Sequence, residues 1–285
     1  MKQEQKTKLC IAIAVAAVIC IALLAVLGTR NPKEQENRPD TSMSRGEGEI
    51  THGEVAKLPE APEKIEIPKD SPLGKAKAEN PDAVAWLQIP NTEINNVVMQ
   101  TSNNEYYLFR DETGQKSPWG SYFADYYANL SSPDSLIQNT VLYGHTENKD
   151  NPQGKRFSQL FKYTSLDFMN ANRNIYLTVG ASKLTFEVFA VFYSDTGFYY
   201  IDPKPSDQGF GKFMEGVNAR NEFVFDGMEV TEQDKLLTLS GCSHQYDVNK
   251  TGNHRIVVMA KLIPSDAVST TATISQNPSP VRPQP

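Results

Sequence analysis

The feature that most constrains this chain is a succession of short strand-like runs, separated by turns, across residues 81–263. Residues 85–90 and 94–101 flank Asn91-Thr92-Glu93, a turn-like connection. Residues 120–125, 140–145, 174–180, 182–194, 235–242 and 254–263 extend the set to about eight runs. In the longest, Leu184, Phe186, Val188, Ala190 and Phe192 alternate onto one face, as a strand requires. Many short β runs with intervening turns close into a barrel or stack as a sandwich. Two helical patches interrupt them. Residues 206–222 place Phe210, Phe213, Met214 and Val217 at the spacing of one helix face, which reads as core packing. Residues 157–170 form a shorter and less regular candidate. The fold class is therefore mainly β with peripheral helices.

The flanks are of another kind. Residues 9–27 form an uncharged stretch of Ala, Ile, Val and Leu, long enough as a helix to cross a hydrocarbon core. Lys2, Lys6 and Lys8 precede it, whereas Arg30 and Lys33 follow, a slight bias that favours a cytoplasmic N-terminus and an exported remainder. A cleaved signal peptide is the rival reading, but its apolar core would be shorter and no small-x-small cleavage site follows. Residues 1–28 are accordingly expected to be a cytoplasmic start and transmembrane anchor, and 29–80 an extracellular stalk of Glu, Pro, Lys and Gly whose last part turns helical. Residues 81–263 are the folded domain, and the Ser/Thr/Pro-rich residues 264–285 are expected to be a disordered tail. The formal net charge of -6 argues against a nucleic-acid partner.

Of 3 cysteines, Cys10 and Cys20 fall inside the apolar stretch, so Cys242 is the one thiol of the exported part. An unpaired thiol in that setting is either a buried apolar residue or a reactive group. Cys242 closes the run Lys235-Leu236-Leu237-Thr238-Leu239-Ser240-Gly241-Cys242, at a strand terminus that is rigidly held yet able to face a cleft. If residues 243–253 fold back, Arg255 on the next run can approach it. A nearby cation favours the nucleophilic thiolate, and a guanidinium can also donate to a developing oxyanion. A proton carrier is also needed. Of 4 histidines, His52 lies in the stalk, and His254 would point away from the face that carries Arg255. The residue chemistry leaves both His145, after Gly144 at a strand end, and His244 open. One exported cysteine and scattered histidines lack metal-ligand spacing, so no metal and no cofactor is expected.

Thr238-Leu239-Ser240-Gly241-Cys242, Arg255 on the following strand and Tyr143-Gly144-His145 after an earlier one stand in an order that resembles the sortase family, and class B in particular. Residues 80–90, Asn104-Glu105-Tyr106-Tyr107-Leu108, residues 120–125 and the helix within 206–222 extend the resemblance to residues 81–263. It implies an eight-stranded sortase-type β-barrel and a cysteine transpeptidase with Cys242 as nucleophile, His145 as acid and base, and Arg255 as electrostatic partner. It also implies a peptide groove lined by Asn104, Tyr143, Ser240 and Gly241. The partners implied are secreted proteins with a C-terminal sorting motif and an amine acceptor, either a peptidoglycan precursor or a pilin lysine. Two positions depart from the family pattern. Gly241 replaces the motif threonine, and Ser243 stands where class B members often carry an acidic residue. A sortase scaffold used only for binding is the reading of another class. A papain-like hydrolase would carry its cysteine early, at a helix start.

Overall fold

The computed structural model describes residues 66–284 apart from 148–149, 251 and 265–271. The apolar run at 9–27 and most of the expected stalk lie outside the described residues. Among the described residues, no helix is long and apolar enough to cross a membrane.

Eight strands close a barrel. They are β1 (Ala83–Gln88), β2 (Asn95–Met99), β3 (Tyr122–Ala124), β4 (Asn139–Gly144), β5 (Asn174–Val179), β6 (Ser182–Ser194), β8 (Leu236–Cys242) and β9 (Arg255–Ile263). They follow the order β1-β2-β3-β4-β8-β9-β6-β5, with β5 pairing back onto β1. The pairs β2·β3 and β4·β8 are parallel and the others antiparallel. All eight sequence runs are found, with ends displaced by a few residues.

The barrel is filled by Leu87, Val98, Leu142, Ile175, Phe186, Leu237, Leu239 and Val258, all buried. The alternation expected along β6 holds only to Val188. There the register against β9 shifts between Val188 and Ala190. Val191 and Tyr193 then face inward, while Phe189, Ala190 and Phe192 join a second cluster outside. One inserted residue exchanges the two faces of a strand. The outer cluster is covered by α3 (Phe210–Arg220), whose Phe210, Phe213 and Val217 are buried, as the helix-face spacing predicts. Burying each such aromatic contributes roughly 1.5–3 kcal/mol. The patch at 157–170 splits into a 3₁₀ segment, Arg156–Thr164, and the short α2 (Leu166–Ala171).

Both expected domain boundaries need correction. Before residue 81, α1 (Pro72–Glu79) is capped by Ser71, which accepts from Gly74 N, and starts with a proline at its first turn. Leu73 on this helix is buried against Val97, Met99, Tyr107 and Phe123, so the folded domain begins earlier than 81.

At the other end, the segment expected to be disordered carries β10 (Thr273–Gln276). It pairs antiparallel with β7 (Phe223–Asp226), which follows α3. Ile274 enters the main core and Ala272 is buried. Further on, Arg282 forms an ion pair with the buried Glu222, its Nη2 donating to Oε2 at 2.9 Å, and its guanidinium lies over Tyr246. Two small apolar anchors, backbone pairing and one ion pair offset the ordering entropy that the polar composition alone could not.

Candidate active site

Cys242 ends β8, and its position is set by ladders on both sides. The antiparallel pairing of β8 with β9 makes Arg255 its direct cross-strand partner, which meets the condition on which Arg255 could approach Cys242. On the other side β4 runs parallel to β8, with Tyr143 opposite Ser240 and Gly144 opposite Gly241. His145, the residue after β4, and Cys242, the last residue of β8, thus stand at the same level. All three functional candidates line one open cleft of about 320 Å³, together with Asn104, Tyr143 and Ser240.

His145 is oriented by its surroundings. Its Nε2 lies 2.6 Å from the Leu108 carbonyl oxygen. A carbonyl can only accept, so Nε2 carries the hydrogen and Nδ1 is the nitrogen left to exchange a proton. The exposed ring of Phe109 lies 5.8 Å from the imidazole, centroid to centroid. His244 is exposed in the loop beyond Cys242 and does not line the cleft. His254 is buried, and its Nε2 donates to the carbonyl of Gln284 at 2.9 Å.

The guanidinium of Arg255 is braced from one side. Nη1 donates to the carbonyls of Gly252, at 2.7 Å, and His254, at 2.9 Å. Among the described residues, Nη2 and Nε of Arg255 have no hydrogen-bond partner, which leaves a pair of directed donors on a fixed charge.

The remaining groove residues are pre-set by hydrogen bonds. The Asp125 carboxylate accepts from Tyr143 OH and from Asn104 Nδ2, both at 2.8 Å. Asn104 Oδ1 accepts from the backbone of Tyr126 at 3.0 Å. Burial, and then the neighbouring Asp125 charge, pushes the Tyr143 phenol well above its ordinary range, so it stays a donor. Ser240 Oγ shares a 2.9 Å hydrogen bond with Tyr200 OH, whose own pKa burial raises.

Gly241 is the exception among the expected groove residues. It does not line the cleft. Alternation turns residue 241 away from the face that carries Ser240 and Cys242. A Cβ there would lie 2.8 Å from Thr146 Cγ2 and 3.1 Å from Phe157 Cβ. The missing threonine hydroxyl is therefore a matter of packing behind the nucleophile. Thr146 fills that space and donates its hydroxyl to the Cys242 carbonyl at 2.8 Å.

One wall was missed by the sequence reading. The connection after β6 contributes Asp195, Thr196, Phe198, Tyr199, Tyr200 and Ile201 to the cleft. The adjacent tyrosines Tyr199-Tyr200 in a stretch bounded by Gly197 and Pro203 were the available signal. Among the described residues, no group of three or more His, Cys, Asp or Glu side chains could hold a metal ion.

A barrel of this order, with a thiol, an imidazole and a guanidinium at the mouth of one cleft, is the equipment of a cysteine acyl-transfer enzyme. The Sortase domain model matches residues 87–263, and the chain belongs to the sortase family. Its relatives are class B sortases. It is 33% identical over 185 residues to sortase B of Listeria monocytogenes, covering 65% of this chain and 71% of that one. It is 30% identical, over the same shares, to sortase B of Staphylococcus aureus. Among solved structures, sortase B of Clostridium perfringens matches at 31% identity with a TM-score of 0.58, over 67% of this chain and 98% of that one. Sortase B of Bacillus anthracis matches at 29% identity with a TM-score of 0.60, over 72% and 87%. The chain is thus a sortase-type cysteine transpeptidase.

Proposed function

We propose that Cys242, His145 and Arg255 carry out this transpeptidation on secreted proteins bearing a C-terminal sorting motif. The thiolate of Cys242 attacks a backbone carbonyl of the motif, forming a C–S bond. The amide C–N bond breaks, and the leaving amine takes a proton from Nδ1 of His145. An amine acceptor then attacks the thioester, gives its proton to the same nitrogen, and expels the Cys242 thiolate. Covalent catalysis with a positioned acid and base needs this division of labour. Arg255, through Nη2 and Nε, stabilises the oxyanion of each tetrahedral intermediate. Asn104, Tyr143 and Ser240 line the groove for the motif.

The observation that carries the reading is the register, which brings His145 and Arg255 to either side of Cys242 in one cleft. For the acceptor, we favour an amine of a peptidoglycan precursor. A solved sortase B complexed with triglycine, 28% identical at a TM-score of 0.58, supports a small amine acceptor. The apolar run at 9–27 supports a single-pass anchor with the N-terminus cytoplasmic and the barrel outside.

Two experiments test this. The purified full chain is incubated with a library of sorting peptides and triglycine, and the products are read by mass spectrometry. Cleavage within one motif with transfer to the amine is expected; no cleavage of any peptide refutes the reading. For the anchor, protein from membranes should need detergent for extraction and retain Met1 or Lys2. A soluble product beginning near Gly28 would establish a cleaved signal instead.

A further inference from the structure

The parallel ladder between β4 and β8 ends at Gly144 and Gly241. His145 and Cys242 both lie one residue beyond it. Cys242 is still held to Arg255 by the β8·β9 ladder, but no strand pairing holds His145 against Cys242. The tie between them is made by side chains from the connection that follows β4. One is Thr146, bonded to the Cys242 carbonyl. The other is Asp150.

The Asp150 side chain is only 8% exposed. Its carboxylate accepts from Ser243 Oγ at 2.7 Å and from the His244 backbone N–H at 2.9 and 3.0 Å to its two oxygens. These donors belong to the two residues that directly follow Cys242. Ser243 Oγ in turn accepts from Gln245 N at 3.2 Å, and Ser243 N donates to the His254 carbonyl at 2.9 Å, so Asp150 holds from one side a turn that the residue before β9 holds from the other. The His244 ring adds only a loose approach, with Nδ1 3.5 Å from Oδ1. Asp150 makes these contacts with φ of 50°, a left-handed backbone that is uncommon outside glycine and that Asp adopts more readily than most residues. Hydrogen bonds to an ionised, nearly buried acceptor are of the stronger kind.

We infer that Asp150 is a positioning residue for the transpeptidation. It fastens the chain after the nucleophile to the chain after His145 and so sets the distance between thiol and imidazole. The inference rests on the roles proposed above for Cys242 and His145. A misplacement of about 1 Å in such a pair can cost about 10²-fold in rate. The loss should fall on kcat, because the groove residues that hold the peptide lie elsewhere on the cleft.

The test compares kcat and KM of Asp150→Ala, Asp150→Asn, Ser243→Ala and the Asp150→Ala/Ser243→Ala double variant in the full chain on one peptide. Turnover is measured well below each variant's Tm. Asp150→Ala should lose about 10–10² in kcat, with KM within about twofold. Asp150→Asn should lie between, since its amide oxygen accepts one donor while its NH2 opposes the other. Ser243→Ala should lose less, and the double variant no more than Asp150→Ala alone, the mark of a shared contact. Folded Asp150→Ala with wild-type kcat, or a loss confined to KM, overturns the proposal. If Asp150→Ala does not fold, Ser243→Ala decides: wild-type kcat there overturns it equally. A wild-type chain that cleaves no peptide overturns both this inference and the function beneath it, whereas an active wild type beside fully active variants overturns the inference alone.

Discussion

Placing the family threonine at residue 241 should damage this enzyme, although it would restore the motif. A Cβ at that position meets Thr146 Cγ2 at 2.8 Å, Phe157 Cβ at 3.1 Å and Ile256 Cγ2 at 3.5 Å. The first distance is one that real Cβ atoms essentially never show. Thr146 is poorly able to turn away, because its hydroxyl holds the Cys242 carbonyl. Overpacking of this sort costs about 1–3 kcal/mol. For Gly241→Ala, removing a flexible glycine from a strand returns about 0.5–1 kcal/mol. The net loss for alanine is then about 0.5–2 kcal/mol, and for threonine about 3 kcal/mol. In a domain of this size each kcal/mol lowers Tm by about 2–4 °C. Calorimetry should therefore show Gly241→Ala melting a few degrees below wild type and Gly241→Thr lower still. Turnover should fall in the same order, as the displaced Thr146 carries the Cys242 backbone with it. Thr146→Ser, which removes Cγ2 but keeps the hydroxyl, should restore most of the loss in Gly241→Ala. An unchanged Tm in Gly241→Ala, or no recovery from Thr146→Ser, would refute the packing argument.

Arg255→Lys should fail nearly as badly as Arg255→Ala, by about 10²–10³ in turnover, because an ammonium cannot both brace the Gly252 and His254 carbonyls and present two further directed donors. Near-normal turnover in the lysine variant would leave only a general electrostatic role. His145→Ala should lower turnover by about 10²–10⁴, with His244→Ala far milder and His254→Ala acting on stability through its contact with Gln284. The greatest damage from His244→Ala would contradict the assignment. Arg282→Ala leaves the Glu222 carboxylate buried and unpaired. Discounted for the partly exposed arginine, the cost is about 2 kcal/mol, to be read as a fall in Tm. An unchanged Tm would return residues 272–284 to the status of a loosely attached tail.

The barrel was legible because its strands obey a period of two and are bounded by turn residues. The bulge in β6 was not, because one inserted residue exchanges faces without altering composition. The Cys242–Arg255 pair could be read from one short return loop. The choice of His145 over His244 needed the family resemblance, since β4 meets β8 through a parallel pairing between strands distant in sequence. Residues 272–284 looked disordered because a four-residue strand that buries Ile274, flanked by the buried Ala272 and Pro283, carries almost no apolar signal. Gly241 was placed in the groove by the family resemblance, whereas alternation along β8 turns it inward. The wall at 195–201 and the clamp at Asp150 come from connections, where no periodicity marks a residue's direction.

The central claim is that Cys242 forms the covalent intermediate, and trapping that intermediate tests it most directly. An intact sorting peptide that the enzyme cleaves is incubated with the full chain, quenched in acid before acceptor is added, and the adduct is mapped by mass spectrometry. The expected adduct is a thioester on Cys242 whose acyl part is the N-terminal peptide fragment. It disappears when an amine acceptor is supplied and is absent in Cys242→Ala, a folded variant without turnover. Cleavage that continues in Cys242→Ala, or an adduct on any other residue, would contradict it.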